Sequence, residues 1–245
     1  MVYKTFQPPI EWTPPDIFPT QIFKDAKEIA IDLETRDPNL KSKGPGYVRG
    51  DGETVGISIA CDGYADYFPF SHEAGFNFPK KRVIDFIKEI CALPCDKIFH
   101  NATYDVGWLH REGVTVKGRI IDTMIVAPLI NENMYWYTLN SLGQEYLQEG
   151  KSEAELRQAA EEWGVDPKAE MWRLPSAYVG TYAAQDAALT LKLWNHFKIH
   201  LEDQNLWNIF NLETDLFPAL FNMKLTGVRV DLERADGLKK QLVTK

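Results

Sequence analysis

Apolar and polar positions alternate along parts of this chain and recur every three or four residues along others. Ile29, Ile31 and Leu33 alternate with Ala30, Asp32 and Glu34, the period-two signal of a strand, so 28–34 is expected to be one, with Asp32 and Glu34 on a single face. Strands are also expected at 54–61 and 64–70, joined by a turn at Asp62-Gly63 into an antiparallel run. A helix at about 80–91 leads to a strand at 96–100, then to a helix that starts with Asn101 as its N-cap and stops at Gly113. Tyr104, Trp108 and Leu109 share the buried side of that helix. A strand near 119–122 precedes helices at 123–131 and 138–148. A charged helix covers 152–163, and a long helix of good helix formers covers 177–203. Beyond 206, Leu212, Leu216 and Leu220 recur at four, together with Phe217 and Phe221. This apolar stripe ends at Gly227, and a new helix begins near Asp231. Strands first and alternating helices later indicate an α/β fold, a mixed sheet flanked by helices, with a C-terminal helical extension.

Composition narrows the class. The chain has 245 residues, 44% of them hydrophobic, enough for one large domain with an appendage. No apolar run approaches the ~18–20 residues of a membrane span, and MVYKTFQPPIEW lacks the layout of a signal peptide. Residues 1–24 carry Pro8, Pro9, Pro14, Pro15 and Pro19 and are expected to pack as an extended arm. Cys61, Cys91 and Cys95 have no partner pair at zinc spacing and read as buried free thiols in a reducing, cytoplasmic compartment. A net charge of −8 excludes broad coating of nucleic acid but not the holding of a few nucleotides. Basic residues gather in the loop of Arg36, Lys41, Lys43 and Arg49, and at Lys80, Lys81 and Arg82. The loop is the better candidate for phosphate contacts.

Three blocks carry chemistry. Asp32 and Glu34 sit side by side on a largely apolar strand, where they repel each other unless a cation is shared. Asp105 lies one turn into its helix, where the helix dipole favours a negative charge, and alone would read as a residue serving the helix start. Tyr182 and Asp186 are spaced i, i+4 and so share a helix face. Ala183, Ala184, Ala187 and Ala188 around them leave room for close approach to a sheet. Four carboxylates and a phenol from three distant places form a suitable donor set for two hard divalent ions, which can bracket the attacking and leaving oxygens of a phosphodiester displacement about 3.5–4 Å apart. Other signals are empty. KGPGYVRGDGETVG lacks a Walker ending, His196 and His200 lack the glutamate of a zinc protease, and RGDG is incidental.

In this order, Asp32-x-Glu34-Thr35, Asn101-x-x-x-Asp105 and Tyr182-x-x-x-Asp186 resemble the three motifs of the DEDDy 3′→5′ exonucleases, and most of all the proofreading domain of family A DNA polymerases. The stretch 120–131 is similar to the segment between the second and third motifs, and 212–231 to the join with the polymerase thumb. The resemblance implies a ribonuclease-H-like fold. It implies an exonuclease domain over 25–205, preceded by the arm at 1–24 and followed at 206–245 by a helical segment like the start of a thumb. It further implies removal of nucleoside monophosphates from single-stranded or frayed DNA 3′ ends. Two ions, Mg2+ or Mn2+, would be held by Asp32, Glu34, Asp105 and Asp186. Asp32 would bridge both, Glu34 and Asp186 would complete the tighter site, and Tyr182 with Glu34 would orient the attacking water. Thr35, Asn101 and Tyr104 match strand-contacting positions, and Leu40 is the candidate for an apolar wedge. The partner would be a polymerase domain in cis, or in trans if the chain is a natural subunit; a piece excised from a longer polymerase is the first expectation. A ribonuclease D-like RNA exonuclease and a non-catalytic strand-binding module stay open as alternatives.

Overall fold

The computed structural model describes residues 12–151 and 153–243. Pro8 and Pro9 of the expected arm, and Ser152 at the expected start of the charged helix, lie outside the described residues. In chain order the elements are α1 (Thr20–Lys24), β1 (Glu28–Arg36), α2 (Leu40–Lys43), α3 (Gly46–Arg49), β2 (Glu53–Cys61), β3 (Tyr64–Pro69), α4 (Lys80–Cys91), β4 (Asp96–Phe99), α5 (Ala102–Arg111), β5 (Ile120–Asp122), α6 (Thr123–Ile130), α7 (Leu139–Leu147), α8 (Ala154–Trp163), α9 (Gly180–Asp203), α10 (Trp207–Thr226) and α11 (Leu232–Val243).

The strands form one mixed sheet in the order β3-β2-β1-β4-β5. β1, β2 and β3 pair antiparallel, while β4 and β5 join parallel on the other side of β1. The alternation in β1 sorts its side chains between two cores. Ile29, Ile31 and Leu33 pack with Phe23, Val83, Phe86, Ile87, Trp108 and Leu109 under α4 and α5. Ala30 packs on the other face with Val126, Leu142, Ala187, Leu193 and Trp194 from α6, α7 and α9. Asp32 and Glu34 share Ala30's face, toward α9, as a strand's period of two requires. Ala183 and Ala187 are fully buried, which lets α9 lie close against the sheet.

Two close approaches shape the ground beside the acidic strand. Glu34 pairs in register with Gly56, and a bulge follows between Glu34 and Thr35. A Cβ on Gly56 would lie 2.1 Å from the Tyr67 hydroxyl, so the missing side chain is what admits that ring. Trp12 donates from its indole to Asp66 at 2.9 Å and covers Gly180, where a Cβ would stand 2.0 Å from the ring; the start of α9 is pinned to β3 this way. His72 adds a second pin. It sits between the Tyr67 hydroxyl at 2.8 Å and the Leu174 carbonyl at 2.9 Å, and burial pushes its pKa down to about 4.

Several expectations need correction. Residues 20–24 are a helix rather than part of an extended arm, because Phe23 can bury only by turning inward against Tyr64 and Phe86. Asn101 does not cap α5. Its backbone is left-handed (φ 72°) and its side chain makes no capping bond. Residues 176–178 form a 3-10 turn, and α9 begins at Gly180. Cys61 and Cys91 are buried as expected, but Cys95 is only half-buried. The C-terminal stripe splits in two. Phe217 is buried in the core that includes Trp108 and Leu109 and Phe221 packs beside it, whereas Leu212, Leu216 and Leu220 stay exposed (62%, 42% and 47%).

Candidate active site

β1 and α9 assemble the acidic cluster. Asp32, Glu34 and Asp186 each bring a carboxylate oxygen within 4.8 Å of the other two. The strand's period places the first pair on one face, and the i, i+4 spacing puts Tyr182 over the same ground as Asp186. Asp105 stands beside this group rather than in it. It is buried, and its Oδ1 accepts from the backbone N–H of Leu33 at 3.2 Å. A cavity of about 940 Å³ opens over the cluster, lined also by His100, Asn101, Met124, Thr138, Asn140, Lys151, Arg157 and Lys168.

The electrostatics are those of crowded acids, Asp105 and Asp186 buried and Asp32 and Glu34 half-buried. Burial and then the charge of Asp186 push Asp32 up to about 7. Burial, then Asp32, then Asp186 hold Glu34 well above the usual carboxylate range. Burial and then Asp32 do the same to Asp105. Asp186 is raised by burial, against the pull of Lys151. The Tyr182 phenol is pushed far up, by burial first and Asp186 second, so it remains protonated.

Lys151 was not foreseen. Its ammonium pairs with Asp186 Oδ2, lies 3.1 Å from the Tyr182 hydroxyl, and sits over that ring at 5.0 Å. Burial alone would lower its pKa, but Asp186, Asp32 and Glu34 outweigh this and raise it. Asp186 Oδ1 remains buried with no partner. One ammonium facing several carboxylates, with a buried acceptor left over, is a shell of hard oxygen donors short of positive charge. Divalent cations fit it.

Asp122 is a second missed residue, and it explains the failure of Asn101 as a cap. Its carboxylate accepts from the backbone N–H groups of Asn101 at 2.9 Å, Ala102 at 2.8 Å and Met124 at 3.0 Å. One side chain therefore caps two helices, α5 with Asp105 on it and α6. Replacing Asp122 with Ala is expected to cost about 2–3 kcal/mol in a urea titration, by loss of charge-assisted caps, and to slow any Asp105-dependent turnover at least tenfold. An unchanged denaturation midpoint would count against that role. His100 lines the cavity nearby. Its Nδ1 lies 2.9 Å from Thr123 Oγ1, whose hydroxyl donates to the Phe99 carbonyl, and burial followed by Lys151 pushes its pKa down to about 4.

The expected strand-contacting residues scatter. Asn101 lines the cavity, but Thr35, Leu40 and Tyr104 are not among its lining residues. Thr35 Oγ1 and the Tyr104 hydroxyl bond each other at 2.8 Å, and Tyr104 packs edge-on against Tyr47 and Trp108. Leu40 is exposed on α2. In the basic loop, Arg49 is tied to Asp37 and Asp51, and Arg36 pairs with Glu53 while lying over Trp172 at 4.2 Å. Those two guanidinium groups are occupied within the fold.

The profile of the 3′–5′ exonuclease family matches residues 20–202, most of the chain and all of the acidic cluster. The chain belongs to the 3′–5′ exonuclease family of A-type DNA polymerases. A DNA-directed DNA polymerase of Pseudomonas phage M6 is 35% identical over 98% of this exonuclease chain, which spans only 38% of that relative's length. Among solved structures, the POL domain of Pol1 from M. smegmatis, in complex with DNA primer-template and dNTP, superposes with a TM-score of 0.66 at 17% identity, over 95% of this chain and 34% of that one. Escherichia coli RNase D, an exoribonuclease, superposes with a TM-score of 0.58 at 18% identity, over 86% and 48%. The exonuclease chain thus has the ribonuclease-H-like fold expected of it: a mixed sheet with helices on both faces. Among its described residues no helix is long and apolar enough to cross a membrane.

Proposed function

We propose that this exonuclease hydrolyses the terminal phosphodiester of a single-stranded or frayed DNA 3′ end and releases nucleoside monophosphates beside a polymerase domain. The observation that carries the reading is the convergence of Asp32, Glu34 and Asp186 within 4.8 Å, with Asp105 next to Asp32 and a cavity above them. Asp32, Glu34 and Asp186 would hold one divalent cation, and Asp32 with Asp105 a second; Mg2+ or Mn2+ suits oxygen donors of this kind. Bound there, such ions supply the positive charge that an in-line displacement needs on its attacking and leaving oxygens. The chain's own groups do the rest. Tyr182 keeps its phenolic proton and would orient the attacking water as a hydrogen-bond partner, with Glu34 helping. Asn101 and Met124 on the cavity wall face the terminal nucleotide. Asp122 and His100 keep α5 and the cavity floor in place.

The relatives are polymerases with this domain in the same chain, which supports a replication role, in the host cytoplasm for a phage protein. The decisive experiment follows a 5′-labelled DNA strand with magnesium, against an EDTA control and against an RNA strand of the same sequence. We expect a ladder shortening from the 3′ end on DNA alone. Cutting of RNA at equal rate would move the assignment to the ribonuclease D-like reading. No cutting of either strand would reject hydrolysis.

A further inference from the structure

Tyr135 and Trp136 are the most exposed aromatic side chains among the described residues, at 87% and 63%. Isolated exposed apolar residues are ordinary, but two adjacent rings held clear of the core ask for an explanation. Slackness of their loop does not supply one. The Tyr137 hydroxyl donates to the Asn131 carbonyl at 2.9 Å, and the Asn133 N–H donates to Asn131 Oδ1 at 3.1 Å. Thr138 Oγ1 accepts from the Ser141 N–H at 3.2 Å and caps α7. Met134 and Tyr137, on either side of the two rings, pack against the α6–α7–α9 core. The loop is pinned at both ends and at its flanks, and of its apolar and aromatic side chains only the middle pair is exposed.

We propose that Tyr135 and Trp136 form a stacking platform for unpaired bases of the strand whose 3′ end enters the carboxylate cavity. The inference rests on the nuclease reading above. Thr138, Leu139 and Asn140 line that cavity, and Trp136 is two residues from Thr138, a Cα separation of at most about 7 Å. The rings meet edge to face, with centroids 5.2 Å apart and planes at 71°, which leaves outer ring faces open. A chain of net charge −8 cannot hold a strand by a broad basic track. Base–aromatic stacking needs no charge, is tolerant of sequence, and selects single strands because paired bases hide their faces. The ligand class is therefore unpaired nucleobases upstream of the scissile bond.

The test compares wild type with a Tyr135→Ala/Trp136→Ala protein and with Trp136→Phe. Binding of a fluorescein-labelled six-thymidine oligonucleotide is measured by anisotropy in EDTA, and hydrolysis of six-nucleotide and two-nucleotide substrates is measured with magnesium. We expect the double variant to melt like wild type and to bind the hexamer about tenfold or more weakly. Its KM for the hexamer should rise in step with kcat unchanged. Its KM for the dinucleotide, which carries a single base upstream of the scissile bond, should move less. Trp136→Phe should retain most of the affinity. Equal hexamer binding by wild type and double variant overturns the proposal, as does an equal loss on the dinucleotide. A change confined to sedimentation behaviour also overturns it and assigns the rings to a protein contact. Loss of hexamer binding in a chain that hydrolyses nothing would instead keep the platform and reject the nuclease reading.

Discussion

The Asp32→Asn protein should lose 3′-end hydrolysis by about a thousandfold or more and, in EDTA, fold more stably than wild type. The first effect follows from the geometry. Asp32 is the carboxylate flanked by both Asp186 and Asp105, so removing its charge weakens both proposed cation positions, and an electrostatic contribution of several kcal/mol to a transition state corresponds to three or more factors of ten. The second effect follows from the cost of the site to the fold. The folded-state pKa of Asp32 is raised from 3.8 to about 7, so between these values the folded chain binds more protons than the unfolded one. This contribution to stability is fully present below about pH 4 and is lost as pH rises through 7, to a ceiling of roughly 4 kcal/mol. The amide of the variant does not titrate and has no such slope. The stability difference, variant minus wild type, should therefore grow from pH 4 to 7.5 in EDTA, as read from urea midpoints. Magnesium should shrink it, because a cation that binds only the folded wild type stabilises that protein by mass action. A variant that is less stable than wild type at pH 7.5 in EDTA, or that cuts within tenfold of it, would defeat the idea that these carboxylates are held together for a cation.

Lys151→Met should act in the opposite direction. In EDTA the substitution leaves Asp186 buried with no cation at either oxygen. Breaking a buried pair from one side commonly costs about 3–5 kcal/mol, and with the Lys151 side chain 16% exposed we expect about 3. The loss should be largely recovered by millimolar magnesium or manganese. The variant should also reach half-saturation at lower divalent concentration, since no ammonium has to be displaced. Combining Lys151→Met with Asp32→Asn should give a subadditive result, because both changes act on one charge balance. A Lys151→Met protein with an unchanged EDTA midpoint would show that the ammonium is a bystander. The two variants thus bracket the site: one removes excess negative charge, the other the positive charge that offsets it.

Much of this arrangement was legible in the residues. The alternation of Ile29, Ile31 and Leu33 with Asp32 and Glu34 set which face of β1 carries the acids, because a strand's side chains alternate whatever surrounds them. The spacing of Tyr182 and Asp186 set their common helix face for the same kind of local reason. The alanines around them announced the close approach of α9 to the sheet. The C-terminal helix shows where such reasoning ends. A repeat of apolar residues says that a face is apolar, not that it is covered, and the Leu212, Leu216 and Leu220 row stays exposed while Phe217 is buried.

What the residues could not disclose lies in contacts between distant segments. Asn101 looked like the cap of α5, but the cap comes from Asp122, whose carboxylate reaches across from the end of β5 only because β4 and β5 pair parallel with Phe99 beside Asp122. Lys151 carries no motif. It becomes part of the site because the segment after α7 passes over α9, where Asp186 lies 35 residues away in sequence. Thr35 and Tyr104 were both marked as strand contacts, and folding joins them to each other. By itself the sequence determined the acids, the elements that bear them and the family, since periodicity and spacing are properties of a single segment. The tertiary structure alone decided which carboxylates converge, which cation offsets them, which side chain caps the helix of Asp105 and which aromatic rings are left facing solvent, since each depends on where the sheet order and the helix packing bring separate segments together.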